Sequence, residues 1–566
     1  MLDIIARSHR GRVCKYKDGE HDLTTPAVVT LGRSAGPFIS LEPEGRVLHF
    51  MGTDVPLDEG LLTTVSSGRG GMRGPYGKLC VLRLPLDGTE EIPEDCEVVV
   101  VPNAFELRRD ARKILDAVIK VREVAGFGRL VYMSGIAEPS TLSILSYMGV
   151  DIFDDVLPSA AGLMGVRMIP EGEVAMGCDV SRDNTRALKE EVEKVSLFTA
   201  SGRLRELVDQ RSAASPSSVA LLRLYDGQGY DYQEEACTLA GGRFCSNTVQ
   251  ALRRPDVERY RRTIAGRYRK PYHKRILLLL PCSARKPYHT SKSHKAFSSA
   301  IHTGDHDTLV HEVILTSPLG LVPRELDVFY PANAYDIPVT GEWNCQEKQM
   351  IRSMLSDLLE QGYDKVVCHF PDYEMIKDLA DMEFTVENGD PTSFASLGRL
   401  DASLREASRG MDLPGYMVDR KENVRSVLRF QFGQDAADAI MDENTFATGK
   451  FPYWKIIRED PGDRSKKTQL GMLTPERGMI SLTLEGAEVL SGTGKYTVTM
   501  NDFDLMGNLF AVGAVGADPE IRIGDEAVVI RGGKVAGVGV AEMCGREMVQ
   551  TNRGMAVRVR HKSKRL

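Results

Sequence analysis

The sequence predicts a multidomain protein of the α/β class, from its length and from two separate alternations of strand-like and helix-like patterns. A chain of 566 residues exceeds what one hydrophobic core accommodates. The first alternation begins with CEVVVVP at 96–102 and ends with VDIFDDV at 150–156. The second begins with the leucine run at Ile276 and ends with DKVVCHF at 364–370. Alternating β and α segments indicate parallel strands, so we predict two α/β units.

The rest of the chain has two further patterns. Residues 411–485 mix helical and strand periodicity, which predicts a small α+β domain. Residues 486–566 contain short β-like runs with glycine turns, such as LFAVGAV and AVRVR, which are typical of a small β-barrel. The second α/β unit is predicted to be a doubly wound domain. We therefore place the domains at 1–250, 251–410, 411–485 and 486–566.

The composition narrows the class of protein. Hydrophobic residues make up 42% and charged residues 27% of the chain, as in ordinary globular domains. No apolar run approaches the roughly 20 residues that span a bilayer, and the N-terminus lacks a signal-peptide pattern. We expect a soluble, cytoplasmic protein. Its ten cysteines include no CxxC pair, so we expect no metal site and no cofactor.

The charge is acidic overall but locally basic. A net charge of -7 argues against a uniformly basic nucleic-acid binder. Residues 251–275 nevertheless carry ten Arg or Lys against two acids, and the segment 551–566 is also basic. Such stretches attract phosphate backbones, although each alone also fits a solvated helix face or a frayed terminus. Together they favour an RNA or DNA partner.

One cysteine stands at the end of an apolar run. Cys282 directly follows the leucine strand in PCSARKPYHTSKSH, residues 281–294. The carboxyl edge of an open α/β sheet is where ligands bind. Basic neighbours such as Lys286 and His294 would lower the pKa of the thiol, which suits covalent catalysis. The alternative is a buried structural cysteine beside a basic surface loop.

A long loop follows the next predicted strand. It spans 316–343 and carries Arg324, Asp327, Tyr335 and Asp336. Long ordered loops in compact domains are usually functional. The alternative is a surface excursion without a role in binding.

The Cys282 segment resembles a known family. It fits the pattern P-C-x3-K-P-Y-x2-S-x2-H, which is typical of archaeosine synthases, the archaeal paralogues of tRNA-guanine transglycosylase. SPLGLVPREL and YDIPVTG in the long loop are similar to the same family, and IRIGDEAVVI and GKVAGVGVAEM resemble a PUA domain. GRVCKYKDGEHDLTTPAVV and GVDIFDDVLP resemble transglycosylase barrels. The resemblance implies an N-terminal TIM-barrel-like domain and a C-terminal PUA β-barrel.

The departures from the transglycosylase pattern concern its exchange chemistry. Asp154 matches the transglycosylase nucleophile, but we find no DSGGFQ-like segment and no CxCxxC zinc cluster. Cys237 and Cys245 are the only cysteines in the region where that cluster is expected. We interpret Asp154 as a vestigial position in a barrel that no longer exchanges bases.

The resemblance also implies a reaction. Its substrate is tRNA that carries 7-cyano-7-deazaguanine at position 15 of the D-loop. Cys282 attacks the nitrile to form a thioimidate, and an amine then displaces the thiol. Lysine is the favoured donor, with glutamine, asparagine or ammonium as alternatives, and a radical SAM partner cleaves the lysine adduct. A homodimer is also expected.

Residue roles follow from this reaction as hypotheses. His294 would act as acid or base, and Lys286 would hold a phosphate or stabilise the thiolate. The other predicted site residues are Tyr288, Ser291, Arg324, Asp327 and Asp336 for substrate or amine, and Arg553, Arg558, Arg560 and Lys562 for tRNA. Two alternatives stay open. An active transglycosylase would depend on Asp154, and a non-catalytic tRNA-binding protein would not need Cys282.

Overall fold

A computed structural model describes most of the chain. The described residues are 2–19, 21–30, 39–41, 47–50, 53–56, 71–338 and 342–564. Of the helices in these ranges, none combines the length and apolar character that crossing a bilayer requires.

The N-terminal part mixes strands and helices. Its strands are β1 (Leu2–Ser8), β2 (Gly11–Asp18), β3 (His21–Thr25), β4 (Ala27–Val29), β5 (Ile39–Leu41), β6 (Val47–Phe50), β7 (Thr53–Pro56), β8 (Gly71–Tyr76), β9 (Leu79–Arg83), β10 (Val98–Val101), β11 (Leu130–Met133), β12 (Ile152–Asp154), β13 (Val166–Ile169) and β14 (Gly172–Ala175). Its helices are α1 (Ala111–Ala125), α2 (Leu142–Tyr147), α3 (Val156–Leu163), α4 (Ser181–Ala200), α5 (Leu204–Ser212), α6 (Pro216–Gly227) and α7 (Tyr230–Glu234).

The main sheet of this part is barrel-like. Its strand order is β4-β12-β11-β10-β9-β8, with β8 antiparallel and the other neighbours parallel. Alternate side chains face two cores, as the pleat of a strand requires. Val98 and Val100 face inward against the β1-β2-β3 sheet, whereas Val99 and Val101 pack with residues of the surrounding helices.

The predicted TIM-barrel-like arrangement is not confirmed. Within the described residues, five parallel strands form the sheet, where a TIM barrel has eight. Between β4 and β8 the described residues form the antiparallel β5-β6-β7 sheet instead of βα units. The pairing of β4 with β12 resembles the closure of a barrel between its first and last strands.

The second part is an α/β unit. Its strands are β15 (Phe244–Cys245), β16 (Ile276–Pro281), β17 (Val310–Thr316), β18 (Gly320–Pro323), β19 (Tyr335–Asp336), β20 (Lys365–Cys368) and β21 (Glu383–Phe384). Its helices are α8 (Pro255–Arg267), α9 (Lys292–Ile301), α10 (Cys345–Leu359) and α11 (Phe394–Ala407). The sheet order is β18-β17-β16-β20-β21, with β18 antiparallel at one edge. The leucine run forms the buried central strand β16.

Two smaller units follow toward the C-terminus. The first has α12 (Tyr416–Phe432), α13 (Gln434–Ile440), β22 (Thr445–Lys450), β23 (Tyr453–Asp460), β24 (Asp463–Thr474), β25 (Met479–Leu482) and α14 (Leu484–Ser491). The second has β26 (Thr497–Met500), β27 (Leu509–Phe510), β28 (Ala514–Ala517), β29 (Glu526–Arg531), β30 (Lys534–Ala541), α15 (Gly545–Gln550) and β31 (Met555–Lys562). Its six-stranded order, β27-β31-β30-β29-β26-β28, gives the nearly closed sheet of the predicted PUA barrel.

One connecting segment joins three of these units. Glu234, at the end of α7, accepts hydrogen bonds from Arg259 of α8 at 2.7 Å and from Arg522 of the C-terminal unit. The backbone of Leu239 donates to Ile523 at 2.7 Å. The chain then reaches β15, which pairs in parallel with β19 of the long loop. The segment 234–245 is thereby held beside the α/β sheet.

Candidate active site

The parallel register of two strands places Cys282 beside Thr316. Pro281 of β16 pairs with Leu315 of β17, so the next residue of each strand lies at the same carboxyl edge. The leucines of β16 are buried, whereas Cys282 is partly exposed. The thiol therefore stands where the sheet opens to solvent, as the sequence predicts.

A cluster of three buried hydroxyls lies directly behind the thiol. Tyr288 Oη donates to Thr316 Oγ1 at 3.3 Å, and both oxygens are hydrogen-bonded to Tyr335 Oη. All three side chains are at most 1% exposed. The Thr316 hydroxyl also donates to the backbone carbonyl of Ser317 at 3.1 Å. The three hydroxyls form one connected hydrogen-bonded group beside Cys282.

Burial dominates the electrostatics of the thiol. It raises the pKa of Cys282 above its ordinary value, and the hydrogen bond from Thr316 and the charge of Lys286 only partly oppose it. The sequence-based expectation of a lowered thiol pKa is therefore wrong in direction. Burial likewise lowers the pKa of Lys286, although Cys282 and Asp336 favour its charged form. Lys286 Nζ lies 4.0 Å from the centre of the Tyr335 ring.

An exposed ion pair borders this group. Arg243 Nη2 lies 2.6 Å from Asp336 Oδ2, and the two side chains are 72% and 37% exposed. The pairing of β15 with β19 brings these residues together from distant parts of the chain. The charge of Arg243 also lowers the pKa of Lys286, although burial has the larger effect.

Arg324 organises a second, separate network. It donates to Glu312 at 2.9 and 2.8 Å, to Asp327 at 3.2 Å, and to Nδ1 of His294 at 2.8 Å. Asp327 also accepts from the backbone and from Nδ1 of His289, at 2.8 and 3.0 Å. The network contacts the turn 288–291 through His289.

His294 is held as a neutral ring. Arginine is always a donor, so Nδ1 of His294 accepts from it and carries no proton. Burial first, and then the charge of Arg324, lower the pKa of His294 to about 2. The ring is 1% exposed and lies 5.3 Å from the ring of Tyr288. At neutral pH the ring is therefore uncharged with its Nδ1 already engaged, and the expected acid or base role of His294 stays a prediction.

The predicted site residues therefore fall into two groups. Lys286, Tyr288 and Asp336 lie around Cys282, and Ser291, His294, Arg324 and Asp327 lie around the second network. Ser291 caps the N-terminus of α9 by accepting from the backbone of His294 at 3.2 Å. Residues 339–341, the end of the YDIPVTG segment, lie outside the described residues.

The sequence analysis did not assign four residues that the structure brings to the site. Thr316, Tyr335 and Arg243 border the thiol, and His289 pairs with Asp327. A signal existed for Thr316, because it ends the strand beside β16. The two-residue pairing that positions Arg243 and Tyr335 has no local sequence signal.

Asp154 is closed off from solvent. It is 1% exposed and accepts hydrogen bonds from Tyr132 Oη at 2.7 Å, from Ser134, and from the backbone of Gly135 at 3.0 Å. Burial raises the pKa of its carboxyl. In the described part of the chain, no group of three or more His, Cys, Asp or Glu side chains is arranged to hold a metal ion.

The four basic residues predicted to bind tRNA differ in their surroundings. Arg560 is engaged inside the domain by Glu526 and by the backbone of Leu482. Arg558 pairs with Glu542 at 2.9 Å, with its side chain 63% exposed, and Lys562 donates to the backbone of Met506 at 2.8 Å. Arg553 is 42% exposed and lies 4.0 Å from Glu97.

Comparisons with known proteins match the second α/β unit and the C-terminal unit. Residues 257–404 match a family described as a domain of unknown function (DUF5591), and residues 504–562 match the PUA domain. A crystal structure of a protein of unknown function is 28% identical, with a TM-score of 0.41 over 54% of this chain and 99% of that chain. The chain is 24% identical to the tRNA-guanine(15) transglycosylase of Methanobrevibacter smithii, over 76% of this chain and 66% of that protein.

Closer similarity is found with proteins of one name. The archaeosine synthase subunit alpha of Thermoplasma acidophilum is 32% identical, over 83% of this chain and 89% of that protein. The corresponding protein of Thermococcus kodakarensis is 30% identical, over 99% of this chain and 100% of that protein. The chain therefore belongs to the archaeosine synthase family.

Proposed function

We propose that this chain is a tRNA-modifying enzyme of archaeosine biosynthesis, which adds an amine to the nitrile of 7-cyano-7-deazaguanine in the tRNA D-loop. The observation that carries the proposal is the position of Cys282, a partly exposed residue at the carboxyl edge of β16 and β17, with Lys286 beside it. A nitrile carbon is an electrophile suited to sulfur, and covalent catalysis divides one difficult step into two easier ones. The names of the relatives support the same process.

The proposed chemistry has two balanced steps. In the first, Cys282 Sγ bonds to the nitrile carbon, one C–N π bond breaks, and the nitrogen gains a proton to give a thioimidate. In the second, an amine nitrogen bonds to the same carbon, the C–S bond breaks, and the thiol regains a proton. The product is a substituted amidine, and neither step changes the oxidation state of the substrate.

The amine site is assigned to Asp336. Of the two candidate carboxylates, Asp336 is 37% exposed, whereas Asp327 is fully buried and paired with Arg324. Exposed ion pairs contribute only about 0–1 kcal/mol, so an incoming ammonium can displace Arg243 from Asp336. The displaced guanidinium would then be free to hold an RNA phosphate.

Lysine is the amine donor we favour, with glutamine, asparagine and ammonium as the alternatives. A lysine adduct would require a radical SAM partner to release the amidine. The tRNA itself would contact the PUA domain through Arg553, Arg558 and Lys562. Arg560 would shape the domain, because Glu526 already engages its guanidinium.

The test is mass spectrometry of nucleosides from tRNA that carries the cyano base. The tRNA is incubated with enzyme and each candidate amine in turn, alongside Cys282→Ser. We expect a mass increase equal to one whole amine molecule for the true donor, and no product with the variant. Unchanged nitrile in every wild-type reaction would contradict the proposed function.

A further inference from the structure

A second cleft opens beside the turn that carries Tyr288. It has a volume of about 980 Å³ and lies between α9, β17, α12 and the turn from β22 to β23. Its lining includes His289 and His294, and the ring of His294 lies 5.3 Å from the ring of Tyr288. The cleft therefore adjoins the group of hydroxyls beside Cys282.

The cleft carries positive charge that no carboxylate balances. Among the described residues, the lining side chains of Lys295, Arg420 and Lys450 form no ion pair, and both lysines are exposed. Arg420 donates only to backbone carbonyls, those of Tyr416 at 3.2 Å and Gly449 at 3.3 Å. These two bonds hold the start of α12 against the turn after β22, so the Arg420 and Lys450 charges lie on the same side of the cleft.

The carboxylates of the lining are already engaged inside the protein. Their partners are as follows: Glu312 with Arg324, Asp419 with Lys274, Glu325 with Tyr268, and Asp307 with His302. An anionic ligand that enters the cleft would thus meet three cations whose charge is not neutralised by the protein. Such a site attracts phosphate groups.

Aromatic rings line the same cleft. The ring of Phe451 lies 5.3 Å from that of His289 and 5.2 Å from that of Trp454, and Tyr416 is 53% exposed. Proteins that hold single-stranded nucleic acid combine a positive groove, which follows the backbone, with rings on which bases stack. A free phosphate would use the cations but not the rings, so the lining fits an RNA strand.

We infer that this cleft holds the single-stranded RNA next to the modified base, with Lys295, Arg420 and Lys450 contacting phosphates and Tyr416 stacking on a base. The inference rests on the proposed function and names a tRNA contact surface outside the PUA domain. Enzymes that act on a base take it out of its stack, so the neighbouring nucleotides lose contacts when the base reaches Cys282. The adjoining cleft replaces those contacts.

The first test measures binding of unmodified tRNA to the full chain across a salt series, so that no nitrile chemistry is involved. Replacing Lys295 and Lys450 together by alanine should weaken binding and reduce the salt slope by about two units, one for each lost phosphate contact. Lys365→Ala is the matched control, because Lys365 is exposed at the amino end of β20, at the sheet edge opposite Cys282. Its slope should equal that of wild type.

The second test separates stacking from charge. Tyr416→Ala should weaken tRNA binding by about 5- to 150-fold, the effect of one base that loses its ring, and should leave the salt slope unchanged. Tyr416→Phe keeps the ring and should bind within about twofold of wild type.

The outcomes distinguish the cleft from the proposed function. An unchanged salt slope in the double lysine variant would overturn the cleft as an RNA site, even where the variant still converts cyano-tRNA. A reduced slope combined with wild-type affinity in Tyr416→Ala would indicate phosphate binding without a stacked strand and would also overturn the inference. If the wild type does not bind tRNA at all, the proposed function fails and the inference fails with it.

Discussion

Replacing Arg324 by alanine tests whether its network holds the turn beside Cys282. The substitution removes two hydrogen bonds to Glu312, one to Asp327 and one to His294. Asp327 is fully buried and would keep only His289 as a partner for its charge. Removing one partner from a buried ion pair costs about 3–5 kcal/mol. In a domain of this size the cost corresponds to a fall in Tm of roughly 6–20 °C.

The assay is thermal unfolding of the full chain, followed by circular dichroism, with Arg399→Ala as the matched control. Arg399 pairs with Glu387 at 2.9 Å, with side chains 56% and 35% exposed, so its removal should cost less than about 1 kcal/mol. Tyr288 shares the turn 288–291, so conversion of cyano-tRNA should also be lost in Arg324→Ala. If the Tm of Arg324→Ala falls no further below wild type than the Tm of Arg399→Ala, this reasoning is refuted.

Four other predictions test separate parts of the account. His294 has a folded-state pKa of about 2, so the unfolded chain binds the extra proton below about pH 6.5 and stability falls as pH falls. His294→Gln should reduce that fall by up to about 1.4 kcal/mol per pH unit. Urea unfolding of both proteins at pH 7 and pH 5 measures the loss of stability, and an equal loss in the two would contradict the prediction. Asp154→Asn should convert the nitrile at a rate within about twofold of wild type. Exchange of labelled guanine into tRNA by the wild type, lost in this variant, would instead favour a transglycosylase. Arg243→Ala should lower the KM for the amine by freeing Asp336, with little change in Tm, and a raised or constant KM would remove Asp336 from the amine site. Replacing Arg558 and Lys562 together by alanine should weaken tRNA binding and reduce its salt slope by about two units, so equal slopes would exclude them from phosphate contact.

The position of Cys282 at the sheet edge could be predicted from sequence because one local pattern determined it. An apolar run of strand length that ends in Cys282 implies a strand and therefore an edge. The parallel register with β17 then brings Thr316 alongside. Tyr335 was expected to belong to a functional loop, but its position next to Arg243 could not be anticipated, because β15 and β19 are two-residue strands from segments far apart in the chain.

The roles of the charged and polar residues were harder to predict, because they depend on burial. Sequence proximity suggested that basic neighbours lower the pKa of Cys282, but desolvation outweighs them. His294 was expected to act as acid or base, and its buried contact with Arg324 keeps the ring uncharged at neutral pH. Asp327 was a candidate for binding ammonium, yet Arg324 and His289 already engage its oxygens.

The first α/β alternation shows the same limit at the level of the fold. Strand and helix periodicity correctly indicated β10, β11 and β12 with the helices between them. Whether such a series closes into a complete barrel depends on the number of βα units and on pairing between distant strands. Periodicity within one segment carries no information about either property.

The central claim is that Cys282 bonds covalently to the nitrile carbon on tRNA. The direct measurement is peptide mass spectrometry after wild-type enzyme is incubated with cyano-tRNA, without amine, and then treated with protease and nuclease. Addition has no leaving group, so the peptide that carries Cys282 should gain the full mass of the modified nucleotide. The adduct should disappear when lysine is supplied. Nitrile conversion at the wild-type rate by Cys282→Ala, or an adduct on a different cysteine, would contradict the claim.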